Sequence, residues 1–159
     1  MSVQEHFMRE ALKEARKGFE KGEVPVGAVV VYRQRIVGRA HNQMETLRDP
    51  TAHAEMIAIT QAAEALSTGR NDHRGSLEGA TLYVTMEPCT MCAGALVLSK
   101  AKSVVYGAKD PKAGACGSLF NIVDDDRLNH RLKVRGGILA EEAKFFLQEF
   151  FKNLRKDKR

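Results

Sequence analysis

Four side chains in this 159-residue chain have the types and spacing of a metal-assisted hydrolytic site. They are His53 and Glu55 in His53-Ala54-Glu55, and Cys89 and Cys92 in Pro88-Cys89-Thr90-Met91-Cys92. Imidazole nitrogen and thiolate sulfur are ready zinc ligands. Two cysteines three apart on the first turn of a helix can face one point, and the positive end of the helix dipole favours thiolate, the form that binds metal. Three protein ligands leave a tetrahedral ion one open position, whereas structural sites usually close it with a fourth. One catalytic zinc per subunit, held by His53, Cys89 and Cys92, is therefore expected. Zinc lowers the pKa of a bound water to about 7 and so makes a nucleophile available at neutral pH. Glu55, two residues from a ligand, can carry protons without ligating the ion.

Each piece alone is weak. A C-x-x-C pair also serves redox or structural roles, a single histidine is commonly packed or at the surface, and a helical glutamate is commonly solvated. The ordered combination of H-x-E and P-C-x-x-C, each at a helix start, is more specific, and it suits hydrolytic removal of an amino group from a nucleobase. His6, His41, His73 and His130 have no comparable spacing.

These residues need elements to hold them. Ser2 and Glu5 have capping-box spacing, and Phe7, Ala11, Ala15 and Phe19 recur every four residues, so a helix to about Lys21 is expected, ended by Gly22. Residues 27–32 and 36–40 read as a hairpin. Asp49-Pro50-Thr51 offers a turn and N-cap for a helix over 52–66 that closes near Gly69, with a polar loop over 71–79. Strands are expected at 81–85, 103–106 and 132–135, a buried apolar helix at 89–99, and a long loop at 109–129, a length that is usually functional. Gly136-Gly137 leads into a last helix whose apolar face carries Leu139, Ala143, Phe146, Leu147, Phe150 and Leu154. The fold class is α/β: one domain over 1–159, with three α/β/α layers around a mixed, mostly parallel five-stranded sheet.

Composition agrees with a single globular domain. Apolar residues make up 43% and charged residues 28%. No run of about 20 apolar residues suggests a membrane span, the N-terminus lacks a secretory pattern, and three cysteines suit a reducing compartment, so a cytoplasmic location is expected. The net charge is +5. Residues 152–159 hold five cations and one anion, so most of that charge sits in a basic tail. Such a tail attracts polyanions such as RNA, and it equally suits the negative end of a helix dipole.

The sequence resembles the bacterial tRNA-specific adenosine deaminases, within the cytidine deaminase-like superfamily, over nearly its whole length. The matching stretches are Glu23-Val24-Pro25-Val26-Gly27-Ala28, Asp49-Pro50-Thr51-Ala52-His53-Ala54-Glu55, Glu87-Pro88-Cys89-Thr90-Met91-Cys92-Ala93-Gly94-Ala95, Gly114-Ala115-Cys116-Gly117-Ser118-Leu119 and Asn129-His130-Arg131. The zinc signature alone reaches only the superfamily; the glycine-rich 109–119 loop and Asn129-His130 favour the tRNA enzymes. The resemblance implies a homodimer that converts the wobble adenosine of an anticodon, chiefly in an arginine tRNA with an ACG anticodon, to inosine. It implies that Asn42 hydrogen-bonds the target nucleoside and that the Ala54 N–H meets the base, with Val26 and Ala28 lining the pocket. By residue type alone Asn42 is a turn residue and Val26 and Ala28 are core strand residues.

The anticodon stem-loop is the expected partner, because its unpaired bases can be splayed out at low cost. Lys109, Asp110 and Lys112 in the long loop, Asn129, His130 and Arg131 after it, and Phe150, Phe151, Lys152 and Arg155 near the tail are the candidate RNA contacts. Phe151, partly off the apolar face, could stack on a base or serve a second packing surface. Cys116 reads as a packed small residue. Two other functions fit parts of the pattern: a free guanine or cytosine deaminase, and a noncatalytic zinc module that binds RNA.

Overall fold

A computed structural model describes residues 1–68 and 75–157. The helix stop expected near Gly69, the start of the 71–79 loop with His73, and the final cations Lys158 and Arg159 lie outside the described residues.

Helix α1 spans Val3–Glu20 and starts where its cap predicts, with the Ser2 hydroxyl accepting the Glu5 N–H at 3.1 Å. Strands β1 (Gly27–Tyr32) and β2 (Arg35–His41) form the hairpin. Arg33 and Gln34 turn it with φ of 49° and 65°, a left-handed pair that matches the twist of the flanking strands. Helix α2 (Met44–Leu47), a four-residue turn that the sequence pattern does not predict, comes next. Helix α3 (Ala54–Ser67) begins two residues after the expected start, because His53 has extended backbone and acts as its N-cap. Strand β3 (Thr81–Met86), helix α4 (Thr90–Leu98), strand β4 (Ser103–Ala108), strand β5 (Lys133–Arg135) and helix α5 (Ala140–Asp157) follow.

The sheet order is β2-β1-β3-β4-β5. β1 pairs antiparallel with both β2 and β3, while β3–β4 and β4–β5 are parallel. Pairings are thus evenly divided, yet four strands point one way and β1 alone opposes them. The cause is the β2–α3–β3 crossover, which carries the chain past β1 and sets β3 on its far edge.

Alternation along the strands divides the core into two sides. Ala28, Val30, Leu82, Val84 and Val104 pack with Ala58 and Ala62 of α3 and Leu96 of α4. Val29, Val31, Tyr83 and Val105 pack with Phe7, Met8 and Ala11 of α1, and Ala143 of α5 joins Leu12 and Ala108 beside them. At Gly27 a Cβ would lie 2.0 Å from the Ala11 carbonyl oxygen, so glycine there lets α1 lie close on the sheet. Among the described residues, no helix is long and apolar enough to cross a membrane.

Parallel β3 and β4 both finish at one edge of the sheet. Glu87, Pro88 and Cys89 follow β3 there, and the 109–118 loop follows β4. Ligands of open α/β sheets bind beyond such carboxyl ends.

Candidate metal centre and active site

Helix starts build the centre. His53 is the N-cap of α3, Cys89 is the N-cap of α4, and Cys92 lies in the first turn of α4. His53 Nδ1 lies 3.7 Å from Cys89 Sγ and 3.6 Å from Cys92 Sγ. A tetrahedral zinc, with Zn–N of about 2.0–2.1 Å and Zn–S of about 2.3 Å, separates nitrogen and sulfur ligands by about 3.6 Å. The three side chains therefore fit the edges of a zinc tetrahedron and could hold such an ion. Hydrogen bonding from Cys92, aided by His53, outweighs burial and pulls the Cys89 thiol down to about 3. The same Cys92–Cys89 bond, with burial, pushes the Cys92 thiol up; a metal bound there would have to displace its proton.

Glu55 stands in the first turn of α3 and is 4% exposed. Burial is the main cause that pushes its carboxyl above the ordinary carboxylate range. A carboxyl so placed holds a proton more readily near neutral pH than a solvated one.

His53, Glu55 and Cys89 line one cavity of about 200 Å³ with Asn42 and Val26. Val24, Met44, Met86, Glu87, Asp110 and Ala113 complete its walls. Its volume is below the about 300–1,000 Å³ of a drug-sized ligand site, which suits one flat ring.

Two expected pocket residues have other settings. The Ala54 N–H is not free to meet a base, because it donates to Asn42 Oδ1 at 2.8 Å in a buried bond. Ala28 is fully buried between the sheet and the α3 side. It shares a strand face with Val26 but lies two residues deeper, so only Val26 reaches the cavity.

The candidate RNA residues divide likewise. Asp110 is in the cavity wall, and Lys109 beside it is exposed. Lys112, Phe151 and Arg155 come together with Leu147 and Gln148 around an open depression of about 440 Å³, and Lys152 is exposed next to them. Phe150 borders a different cavity, lined also by Phe19 and Gly22, and its ring lies edge-on to that of Phe151. Asn129, His130 and Arg131 do not join this group within the chain. His130 Nε2 bonds the Ala101 carbonyl at 2.6 Å, just before β4 begins, whereas the cavity lies where β4 ends. Arg131 pairs with Asp124, and Asn129 is exposed beside them. The length of β4, about 17 Å at about 3.3 Å per residue, lies between the Ala101 carbonyl that His130 bonds and the cavity. Cys116 is packed, and burial pushes its thiol up to about 12. His41 bonds the Asn42 carbonyl through Nδ1 rather than joining the ligands.

Sequence reasoning missed three buried carboxylates: Glu14, paired with Lys17 and Arg39, and two that hold backbone N–H groups. Glu23, 0% exposed, accepts the Glu45 N–H at 3.0 Å, the Thr46 N–H at 2.7 Å and the Thr46 hydroxyl at 2.6 Å. Glu87, 3% exposed, accepts bonds from Asp110, Cys116 and Ser118. The available signal for these two was an acidic residue set among apolar residues and a nearby proline, as in Glu23-Val24-Pro25 and Met86-Glu87-Pro88.

Comparison with known proteins agrees with this geometry. The chain matches the MafB19-like deaminase family over residues 2–155. It is 52% identical over 159 residues to a tRNA-specific adenosine deaminase of Bacillus subtilis (strain 168), covering 100% of this chain and 95% of the relative. A solved structure from work on A-to-I editing by tRNA:A34 deaminases at the wobble position superposes with a TM-score of 0.81 at 43% identity, over 89% of this chain and 99% of that one. A guanine deaminase from Bacillus subtilis superposes with a TM-score of 0.60 at 35% identity, over 72% and 69% of the two chains.

Proposed function

The chain belongs to the tRNA-specific adenosine deaminases within the MafB19-like deaminases, and from that premise we propose that it converts the wobble adenosine of a tRNA anticodon to inosine by hydrolytic deamination. The observation that carries the reading is the cavity lined by His53, Cys89 and the buried Glu55 carboxyl, with Cys92 buried behind them to complete the three-residue group. Both relatives described as tRNA enzymes exceed the guanine deaminase in identity and coverage, which favours tRNA over a free base.

His53, Cys89 and Cys92 would hold one zinc per subunit. When bound, the ion lowers the pKa of a water to about 7 and supplies hydroxide at neutral pH. Glu55 would take the first proton as that water becomes hydroxide and deliver it to the ring nitrogen N1 when the oxygen adds to C6 of the adenine. It takes the second water proton and passes it to the departing amine, so adenosine and water become inosine and ammonia. The raised proton affinity of Glu55 suits it to hold a proton between these transfers. Asn42 and Val26 border the ring site, and Met44 and Met86 exclude water around it. Asn42 would bond the nucleoside through the side-chain N–H₂ left free once its Oδ1 has accepted Ala54 N–H.

The basic group of Lys112, Lys152 and Arg155, with Phe151, offers phosphates and a base a landing surface beside the cavity. An arginine tRNA with an ACG anticodon is the expected substrate, and the cytoplasm the expected compartment. A homodimer is supported by α4, which leaves Leu98 86% exposed on an otherwise apolar helix.

The decisive experiment incubates zinc-loaded protein with anticodon stem-loops and sequences them for inosine. Inosine at the wobble position is the expected result. Ammonia from free guanine or cytosine without inosine in RNA would replace the reading with the free-base one. Zinc and RNA binding without any turnover would leave a noncatalytic module.

A further inference from the structure

Outside the proton-transfer machinery, the largest unexplained investment of buried polarity is Glu87. Its carboxylate meets four donors from one loop. Oε1 accepts the Asp110 N–H at 3.1 Å and the Ser118 hydroxyl at 2.5 Å. Oε2 accepts the Cys116 N–H and the Ser118 N–H, both at 3.0 Å. An ionised carboxylate has about four acceptor sites, so this one is saturated. Its hydrogen-bond partners include no lysine or arginine; the charge is held by N–H and O–H dipoles.

The loop is tied to the same segment twice more. Ala115 N–H donates to the Pro88 carbonyl at 2.8 Å, and Glu87 N–H donates to the Ala108 carbonyl at 2.8 Å. Gly114 lets the chain wrap this tightly, since a Cβ there would lie 2.4 Å from Glu87 Cδ and 2.5 Å from the Asp110 carbonyl oxygen. The loop is thus set in register with Cys89, two residues after Glu87.

We propose that Glu87 is a positioning residue for substrate: its carboxylate fixes the 109–118 loop so that Asp110 and Ala113 form one cavity wall and Lys112 faces the outer depression. The substrate in question is the anticodon loop, so this inference rests on the reading above. Glu87 borders the cavity itself, but both its oxygens are spent on the loop, so it acts through the wall it holds. An amide in its place would point N–H₂ at two donors, and the loop would have to move to avoid them.

The test uses the zinc-loaded, full-length Glu87→Gln variant with an anticodon stem-loop. Hydrogen exchange at the Cys116 and Ser118 amides is expected to quicken. KM for the stem-loop should rise by about tenfold or more while kcat changes by less than about threefold, with wild-type zinc content. Gly114→Ala keeps the carboxylate but displaces the loop, and it should show the same split. Unchanged exchange, or kcat lost at unchanged KM, overturns the proposal. If Glu87→Gln does not fold, Ser118→Ala removes one of the four bonds at an exposed position, and KM equal to wild type in that variant would overturn it too. Wild-type protein that makes no inosine sinks the tRNA reading instead, and the exchange measurement still judges the loop clamp.

Discussion

Glu55 and Asn42 show how much of the chemistry depends on burial. Glu55 is two residues from a ligand in the chain, which any sequence can display, but only enclosure raises its proton affinity. Glu55→Ala is expected to lower deamination by about 10²–10⁴-fold, the usual worth of a positioned acid–base group, while zinc content stays at the wild-type level. Full activity in that variant would remove the proton-shuttle role. Asn42 joins two tasks, bordering the cavity proposed for the ring and accepting the Ala54 N–H. Asn42→Ala leaves that buried N–H without a partner, at a cost of about 1–3 kcal/mol, and also lowers kcat/KM. Asn42→Asp keeps an acceptor for that N–H and should recover part of the stability lost in Asn42→Ala. Thermal melts combined with kinetics separate the two tasks, and wild-type kinetics in Asn42→Ala would refute the one at the ring site.

At the element scale, short α2 depends on Glu23. Four residues make too few internal hydrogen bonds to hold a helix, so the turn needs an external acceptor for its first N–H groups. Glu23 supplies it and so holds Met44 in the cavity wall. Burial pushes the Glu23 carboxyl up, but bonds from Thr46 and Glu45, with His41 nearby, outweigh it and leave the carboxyl below its ordinary 4.5. A carboxylate with a lowered folded pKa contributes its full stability above 4.5 and loses it as pH falls through the folded value. Glu23→Gln is therefore expected to cost about 1.5–3 kcal/mol at pH 7, and the gap to wild type should shrink in melts taken progressively below pH 4.5. A gap that persists unchanged into acid would show that the charge is not what holds α2.

For the whole molecule, the relevant quantity is where the charge lies. The chain carries +5, and residues 152–159 account for four of those charges. α5 brings Lys152 and Arg155 to the side where Lys112 and Phe151 stand. Replacing both Lys152 and Arg155 by alanine should weaken stem-loop binding and flatten the plot of log affinity against log salt by about 0.7–0.9 for each phosphate that the variant no longer neutralises. An unchanged slope would leave these cations with the α5 dipole alone. Salt titration of binding by fluorescence anisotropy reads this directly.

The sequence by itself determined which groups sit at the two helix starts. H-x-E and P-C-x-x-C place the candidate ligands and the candidate proton carrier within a few residues of the starts of α3 and α4, and helix geometry puts Cys89 and Cys92 on one side. The capped α1, the β1–β2 hairpin and the apolar faces of the strands were legible for the same reason, since their signals repeat within one element. What only the tertiary structure decided was the wall around the centre. Ala28 and Val26 look alike along the chain, and depth in the sheet separates them. His130 follows the long loop closely in sequence, but β4 lies between its Ala101 partner and the cavity. The bonds of Glu23 and Glu87 span more than twenty residues each, and no periodicity announces such a partner. They arise because the return of the β1–β2 hairpin and the packing of the 109–118 loop bring distant N–H groups to a buried carboxylate, which then has nowhere else to place its charge.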